Sequence, residues 1–256
     1  MRIFATYSIK GGTGKTSTAV NLAYLASRAG DRTLLWDLDP QAAATFLFRI
    51  KPRVKGGAKA LVNRATSAAD AIKGTDFEGL DLLPADFTYR NLDLVFDRAK
   101  RSRERLGRLL APLAGEYDTV VLDCPPSVSL VSENVLRAAN TLVVPLIPTT
   151  LSLRTFDQLT EFVQRSEPPR PAVVAFFSMV DRRKRLHRDL VEGLPGRRTG
   201  ILPVSVPAAA VVERMAVERA PVPVFAARSP LARSYESLWE TISQGPPAVS
   251  ECSLEG

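Results

Sequence analysis

Cysteine and histidine are scarce in this 256-residue sequence, which contains two cysteines and one histidine. Cys124 and Cys252 are too few for a disulfide scaffold and lack the spacing of a metal site, so we expect two free thiols. Cys124 follows a predicted strand, where a small buried filler is expected. The lone histidine, His187, stands in a basic stretch and needs no special role.

Long apolar runs are also missing. No stretch reaches the roughly 18 apolar residues that a membrane-spanning helix needs. The opening residues, MRIFATYS, form an apolar stretch that is too short for a signal peptide and has no cleavage site. The sequence therefore predicts a cytoplasmic protein.

The last dozen residues, GPPAVSECSLEG from Gly245, contain two acids, no lysine or arginine and no apolar face. We expect one domain over residues 1–244 and a disordered tail over 245–256. An amphipathic membrane anchor is not predicted there, because such a helix needs an apolar face and basic residues.

Apolar runs alternate with amphipathic stretches through most of the chain. This alternation predicts an α/β fold, in which a mostly parallel twisted sheet is covered by helices on both faces. The stretch 50–78 has the weakest pattern, and we expect an insertion or a mobile loop there. The predicted strands are Ile3–Tyr7, Thr33–Trp36, Leu80–Pro84, Asp118–Leu122, Leu142–Ile147, Val173–Phe177 and Ile201–Val206; the predicted helices are Thr16–Ala29, 99–114, 130–139, 152–165, 185–193 and 230–243.

The first predicted strand leads into a glycine-rich stretch, KGGTGKTS, and then into a helix. This is the context of a phosphate-binding loop, whose usual pattern is G-x-x-x-x-G-K-[ST]. Glycines let backbone N–H groups approach phosphates, and the helix N-terminus adds its dipole. Lys15 would reach the β- and γ-phosphates, and Thr16 would bind Mg²⁺. The pattern departs from the usual one at its start, where Ile9 replaces the first glycine and Lys10 follows.

A phosphate loop needs carboxylates for its metal and its attacking water. Asp37 and Asp39 follow the strand TLLW, and Asp123 follows the strand DTVVL. Because parallel strands end at the same edge of a sheet, these three side chains should converge on the loop.

The motifs KGGTGKTS, DLDPQ and VVLDCPPS together resemble those of the ParA/MinD family of deviant Walker A ATPases. The resemblance extends from Arg2 to about Ile242, and LVVPLIPTTLSLRTFDQL and APVPVFAARSPLARSYESL are similar to the ParA branch. It implies a P-loop NTPase of the deviant Walker (SIMIBI) type that binds ATP and Mg²⁺ and hydrolyses ATP slowly.

The resemblance also implies roles for individual residues. Lys10 would cross to the phosphates of a second subunit in an ATP-dependent sandwich homodimer, much as an arginine finger does. Asp39 would orient the attacking water, Asp123 would be the Walker B carboxylate, and Asp37 would support the metal shell. Pro125 and Pro126 would form a stiff segment that senses the γ-phosphate. The phosphate-contacting set is Gly11, Gly12, Thr13, Gly14, Lys15, Thr16 and Ser17.

Three segments depart from the family pattern. Ala42 to Thr45 stand where many relatives have Gly-Asn, and VPAAAVVERM lacks the arginines that often follow the corresponding proline. The adenine site is therefore assigned only around Pro207. PTTLSLRT also differs from partition-type sequences, so the cargo and the partner stay open.

The formal net charge is +7, and basic residues cluster in several runs. ParA-like proteins bind DNA without sequence preference, which implies phosphate contacts by basic residues of the last third of the chain. Arg197, Arg198, Arg228 and Arg233 are candidates by position and charge. Nucleoid association and a ParB-like or cargo-adaptor protein that stimulates hydrolysis are implied as well. Too few residues precede Lys10 for an operator-reading helix-turn-helix.

Three other classes of protein would use the same phosphate loop. A MinD-like switch on a membrane or protein surface would need a C-terminal amphipathic helix. A nitrogenase-reductase-like carrier would need cysteines from both subunits around an iron–sulfur cluster, and Cys124 and Cys252 are unsuitably placed. A metabolic ligase or synthetase would need a substrate pocket that the sequence does not identify, and it would leave Lys10 less readily explained.

Overall fold

Eight strands form one sheet in the order β3-β4-β2-β5-β1-β6-β7-β8. The structure is a computed structural model that describes residues 1–99, 101–127 and 129–245. Every neighbouring pair is parallel except β3 and β4. The predicted fold class is therefore confirmed. The strands are β1 Arg2–Thr6, β2 Thr33–Asp37, β3 Lys73–Gly74, β4 Leu80–Leu83, β5 Thr119–Asp123, β6 Thr141–Leu146, β7 Ala172–Val180 and β8 Ile201–Pro207.

Twelve α-helices cover both faces of this sheet in the described part of the chain. Helices α1, α2 and α10 to α12 pack on one face, and α3 to α9 pack on the other. Three short 3-10 helices, at 87–91, 102–104 and 111–113, complete the structure. The helices are α1 Lys15–Arg28, α2 Ala43–Leu47, α3 Gly57–Val62, α4 Ala68–Ala71, α5 Leu92–Asp97, α6 Arg105–Leu110, α7 Leu130–Ala138, α8 Thr150–Arg165, α9 Arg185–Gly193, α10 Ala210–Glu218, α11 Val222–Ala226 and α12 Pro230–Ser243.

Local sequence signals explain where the long helices begin. The Thr149 hydroxyl accepts a hydrogen bond from the Ser152 N–H at the start of α8. The Ser229 hydroxyl accepts one from the Ala232 N–H at the start of α12, where Pro230 occupies the first helical position. Both arrangements satisfy N–H groups that have no partner within a helix.

Of the two possibilities expected at 50–78, an insertion or a mobile loop, the mobile loop is wrong. The segment forms α3, α4 and β3, and its apolar side chains, including Val54, Leu61 and Ala71, are buried in the main core. The predicted helix at 99–114 is also wrong in its length, because α6 covers only Arg105–Leu110 and Pro112 falls within the 3-10 helix that follows. In both places the helices are too short to produce a clear 3.6-residue repeat.

The C-terminal end of the domain lies at the edge of the sheet where the parallel strands begin. The Arg2 guanidinium donates to the Ser243 carbonyl, which fixes the end of α12 beside the start of β1. The predicted tail begins at Gly245. Its residues after Gly245, including Cys252, lie outside the described residues. Within the described ranges no helix is long and apolar enough to cross a membrane.

Candidate functional site: the loop between β1 and α1

The glycine-rich loop joins the end of β1 to the first turn of α1. Gly12 and Gly14 have φ angles of 71° and 93°, a region that L-residues with side chains rarely adopt. A Cβ atom at Gly14 would lie 3.0 Å from the Ser178 hydroxyl oxygen. A Cβ atom at Gly11 or Gly12 would meet no described atom within 4 Å. The loop leads directly into the N-terminus of the 14-residue helix α1, a position that suits an anion.

Lys15 is buried, with 7% of its surface exposed, and folds back over the loop. Its ammonium group donates a hydrogen bond of 3.1 Å to the Lys10 carbonyl. Burial lowers the pKa of Lys15, and the carboxylates of Asp123 and Asp39 act in the opposite direction. The Lys15 side chain is thus hydrogen-bonded to the backbone of Lys10, the other lysine of the motif. The Lys10 side chain itself is partly buried.

Asp37 and Asp123 end neighbouring strands and are register partners in the sheet. Both side chains are fully buried. Burial raises the pKa of the Asp123 carboxyl well above its ordinary value, and the charge of Asp37 raises it further. The Thr16 hydroxyl acts in the opposite direction, but neither carboxylate oxygen of Asp123 has a well-aligned hydrogen bond among the described residues. A buried carboxylate without partners is costly, so this position favours a cation or a proton.

Asp37 differs from Asp123 because its carboxylate is held by neighbouring donors. One oxygen accepts from the Thr45 N–H at 2.8 Å and from the Thr45 hydroxyl at 2.7 Å, and the other accepts from the Asp39 N–H at 3.1 Å. Burial raises the pKa of Asp37 to about 6, although these hydrogen bonds oppose the rise. Asp37 therefore organises the loop that carries Asp39.

Asp39 is partly exposed and stands just before α2. Its carboxylate accepts a hydrogen bond of 2.9 Å from the Gln41 N–H. Asp39 contributes to the electrostatic environment of both Lys15 and Asp123, so the structure brings the three acidic residues and Lys15 to one place.

A cavity of about 530 Å³ adjoins the loop on the side of β7 and β8. Gly12, Gly14 and Ser17 line it from the loop, and Pro207 lines it from the end of β8. The predicted adenine position is therefore next to the phosphate loop. The sequence interpretation missed several other lining residues, which lie in β7, α10 and α12 without any recognisable motif: Ser178, Met179, Glu213 and Tyr235.

The segment after β5 contains the small buried residue that the sequence predicted. Cys124 is 1% exposed, and burial raises the pKa of its thiol. The Tyr7 hydroxyl donates a 2.8 Å hydrogen bond to the Ser127 carbonyl. This contact ties the segment that contains Pro125 and Pro126 to the start of the phosphate loop.

The four arginines proposed for DNA do not lie together. Arg197 and Arg198 precede β8, at the edge where the parallel strands begin, and Arg198 forms an ion pair with Asp157. Arg228 and Arg233 flank the start of α12, at the opposite edge, where the Arg233 guanidinium donates to the Arg228 carbonyl.

His187 has a structural role that the sequence did not indicate. It is 5% exposed, and its Nδ1 atom accepts a 3.1 Å hydrogen bond from the Asp181 N–H. This bond holds the turn between β7 and α9.

Comparison with known proteins agrees with this geometry. Residues 1–169 match the AAA domain family. The chromosome partitioning protein ParA of Myxococcus xanthus is 35% identical over 204 residues, which cover 76% of this chain and 71% of that protein. Several other curated relatives are matched over 63–66% of their own length.

Solved structures show the same fold over nearly the whole chain. Cobyrinic acid a,c-diamide synthase from Mycobacterium smegmatis, with a bound ATP analogue and magnesium, has a TM-score of 0.77 and 26% identity and covers 95% of both chains. A McdA variant from Cyanothece in complex with ATP has a TM-score of 0.82 at 19% identity and covers 94% of this chain and 95% of its own.

The parallel sheet, the loop and the strand-end carboxylates define a P-loop ATPase. The chain belongs to the ParA family of this class, within the ParA/MinD type that its motifs resemble.

Proposed function

We propose that the protein is an ATP-dependent positioning ATPase that forms a sandwich homodimer, binds DNA without sequence preference and is released when a partner stimulates hydrolysis. One observation carries the proposal: Lys10 stands at the start of a phosphate loop whose Lys15 lies among the strand-end carboxylates. A ParB-like protein or a cargo adaptor would be the stimulating partner.

The residues fit ATP and Mg²⁺. The loop backbone from Gly11 to Gly14, together with Lys15 and Ser17, would hold the phosphates, and Pro207 would adjoin the base. The described residues contain no group of three or more His, Cys, Asp or Glu side chains able to hold a metal. Thr16 and the nucleotide phosphates would therefore bind Mg²⁺ directly. Asp123 and Asp37 would support this metal shell from farther away. The metal would neutralise phosphate charge when bound.

Each charged side chain then has a separate task in hydrolysis. Lys15 would hold the phosphates of its own subunit, and Asp39, which is partly exposed, would orient the attacking water. Lys10 would reach the phosphates of the second subunit and stabilise the charge that develops there. Since Lys10 completes the site only across a dimer, hydrolysis would require dimerisation.

Exposed apolar side chains support a dimer interface at the edge where the parallel strands end. Phe87, Leu94, Leu151, Met179 and Leu186 are 43–64% exposed, and all of them follow or occupy strand C-terminal ends. Apolar residues collected on one surface, around a charged site, are typical of an interaction surface.

DNA contacts would depend on basic residues that remain available in this arrangement. Arg228 and Arg233 are exposed and lie at the same edge as the phosphate loop, whereas Arg198 already pairs with Asp157. We expect Arg228 and Arg233 to contribute more than Arg197 and Arg198. Such contacts would place the ATP-bound protein on the nucleoid.

The test is binding to a random-sequence DNA duplex with ATP, ADP or no nucleotide at two salt concentrations. We predict binding only with ATP, and a steep decrease with salt because phosphate contacts release counterions. Arg233→Glu should weaken binding, while Lys73→Glu in β3, the outermost strand at the far end of the sheet from β8, should not. Binding that is independent of nucleotide, or absent although dimers form, would contradict DNA as the partner.

A further inference from the structure

Helix α10 separates the cavity beside Pro207 from a second one. This second cavity has a volume of about 460 Å³ and lies between α10 and α2, the helix that follows Asp39. Val212 and Glu213 line both cavities, as does Ser17 of the phosphate loop. Helix α10 therefore adjoins both the proposed base position and the segment that carries Asp39.

Two arginines connect the ends of α2 and α10 reciprocally. The Arg219 guanidinium, just after α10, donates two hydrogen bonds of 3.0 and 2.7 Å to the Phe46 carbonyl in α2. It also stacks on the Phe46 ring, 4.3 Å from the ring centre. Arg49, just after α2, donates a 3.0 Å hydrogen bond to the Glu218 carbonyl in α10. We refer to Arg49 and Arg219 as the arginine clasp.

The clasp adds side-chain donors to carbonyl groups in the last turns of both helices, where helix ends leave carbonyls short of partners; the Phe46 carbonyl also accepts a 3.1 Å bond from the Arg49 N–H. Each helix is followed by an arginine in the left-handed region, with φ angles of 60° at Arg49 and 50° at Arg219. Glycine adopts this conformation without steric cost, whereas arginine does not. An arginine at either position adds side-chain hydrogen bonds to the other helix, which a glycine could not form.

Both helices are anchored to the catalytic loop at their other contacts. Buried Asn21 of α1 donates a 3.6 Å hydrogen bond to the Met215 sulfur of α10 and a 2.7 Å bond to the Ser17 carbonyl, and it accepts a 2.8 Å bond from the Val222 N–H at the start of α11. On the other side, Thr45 of α2 holds the Asp37 carboxylate. Contacts thus run without interruption from the base cavity through α10, the clasp and α2 to the loop that carries Asp39.

We propose that the arginine clasp positions the Asp39 loop in response to the base of the bound nucleotide, so that Arg49 and Arg219 set the rate of hydrolysis without touching the nucleotide. The inference rests on the proposed role of Asp39 in hydrolysis. A base in the cavity beside Pro207 would restrain α10, and the clasp would transmit this restraint to α2.

Arg219→Ala tests the clasp, with Arg214→Ala as its matched control. Arg214 lies in α10, pairs with Glu218 at 2.7 Å and stacks on Phe225, so its removal also costs one charged contact and one ring contact, but none to α2. We expect Arg219→Ala to lower kcat for ATP about tenfold, the loss that one charged hydrogen-bonded contact corresponds to. ATP affinity and Tm should stay close to those of Arg214→Ala, and Arg219→Lys, which retains one donor, should recover part of the rate.

Hydrogen exchange of the 39–48 segment supplies a readout that does not depend on turnover. In the unmodified protein a non-hydrolysable ATP analogue should protect this segment more than inorganic tripolyphosphate, which has no base. In Arg219→Ala the two ligands should protect it equally. Equal kcat in the two alanine variants, or a base-dependent protection that survives in Arg219→Ala, would overturn the proposal.

The outcome separates the clasp from the role of Asp39. If Asp39→Ala hydrolyses ATP normally, the proposed catalytic role fails, but the exchange experiment still decides whether the clasp transmits base binding. A kcat that falls in Arg219→Ala only in parallel with ATP affinity and Tm would mean that the clasp merely holds the fold, which also overturns the proposal.

Discussion

Among the individual side chains, the central feature is one buried ammonium group surrounded by carboxylates. Lys15 lies near Asp123 and Asp39, and Asp123 is paired in register with Asp37. Burial is the main cause of the shifted pKa of Lys15, Asp37 and Asp123, and the charges of neighbouring aspartates raise the pKa of the two carboxyls further. The arrangement becomes favourable when phosphates and a divalent cation add charges of both signs, which explains why a stable protein would retain it.

Removal of the Lys15 ammonium group should abolish nucleotide binding. Lys15→Ala deletes the only side-chain cation that the motif directs at the phosphates of its own subunit. Titration with a fluorescent ATP analogue measures the effect, and Lys10→Ala serves as the control because its proposed contact lies across the dimer. Retained ATP affinity in Lys15→Ala would show that the loop is misinterpreted.

The buried carboxylates predict how stability depends on pH. A folded-state pKa of about 6 at Asp37, above the ordinary value, means that the folded protein binds more protons than the unfolded chain between about pH 4 and 6. The free energy of unfolding of the nucleotide-free protein should therefore fall as pH rises through this window. A shift from 3.8 to about 6 corresponds to roughly 3 kcal/mol.

Asp123→Asn should stabilise the nucleotide-free protein at pH 7, because it removes a buried charge beside Asp37. We expect a gain of at least about 1 kcal/mol, a rise of roughly 2–4 °C in Tm, and a weaker loss of stability between pH 4 and 7. Hydrolysis should be lost in the same variant. Thermal unfolding across this pH range measures both effects, and an unchanged pH profile would contradict the assignment.

Among the secondary-structure elements, the buried strands were predictable and the short helices were not. Leu34–Trp36 and Val120–Leu122 are runs of apolar residues buried on both faces of a parallel sheet, and continuous runs of this kind carry a clear signal. Helices α2 and α10 have five and nine residues, and their positions depend on contacts with each other. No local pattern encodes those contacts, so the cavity walls that they form were missed.

Thr45 shows how a short helix supports the site. Its hydroxyl donates to Asp37 and accepts a 2.9 Å hydrogen bond from the Ala85 N–H, and the side chain is fully buried. Thr45→Val should destabilise the protein by about 1–3 kcal/mol, since it leaves buried polar groups without a partner. Thr45→Ser keeps the hydroxyl and should cost clearly less; equal stability of the two variants in urea unfolding would contradict this account.

In the whole molecule, the sheet places the residues of the candidate site at one edge, where the parallel strands end. The loop follows β1, Asp37 and Asp123 end β2 and β5, and Asp39 follows β2, as expected of motifs at the ends of parallel strands. The distribution of basic residues could not be predicted in the same way. Arg197 and Arg228 both lie in the last third of the sequence. Arg197 precedes β8 and Arg228 precedes α12, so the two residues lie at opposite edges of the sheet.

The most direct test of the central claim is the ATP-dependent molar mass of the Lys10→Ala protein, measured by light scattering with ATP and Mg²⁺. Asp39→Ala should prevent hydrolysis and is used as the background, so that the ATP-bound state persists. We predict a dimer for Asp39→Ala and a monomer that still binds ATP for Lys10→Ala combined with Asp39→Ala. A dimer of unchanged stability in the combined variant would contradict a lysine that crosses to the second subunit, and a monomer in both would contradict the ATP-dependent dimer itself.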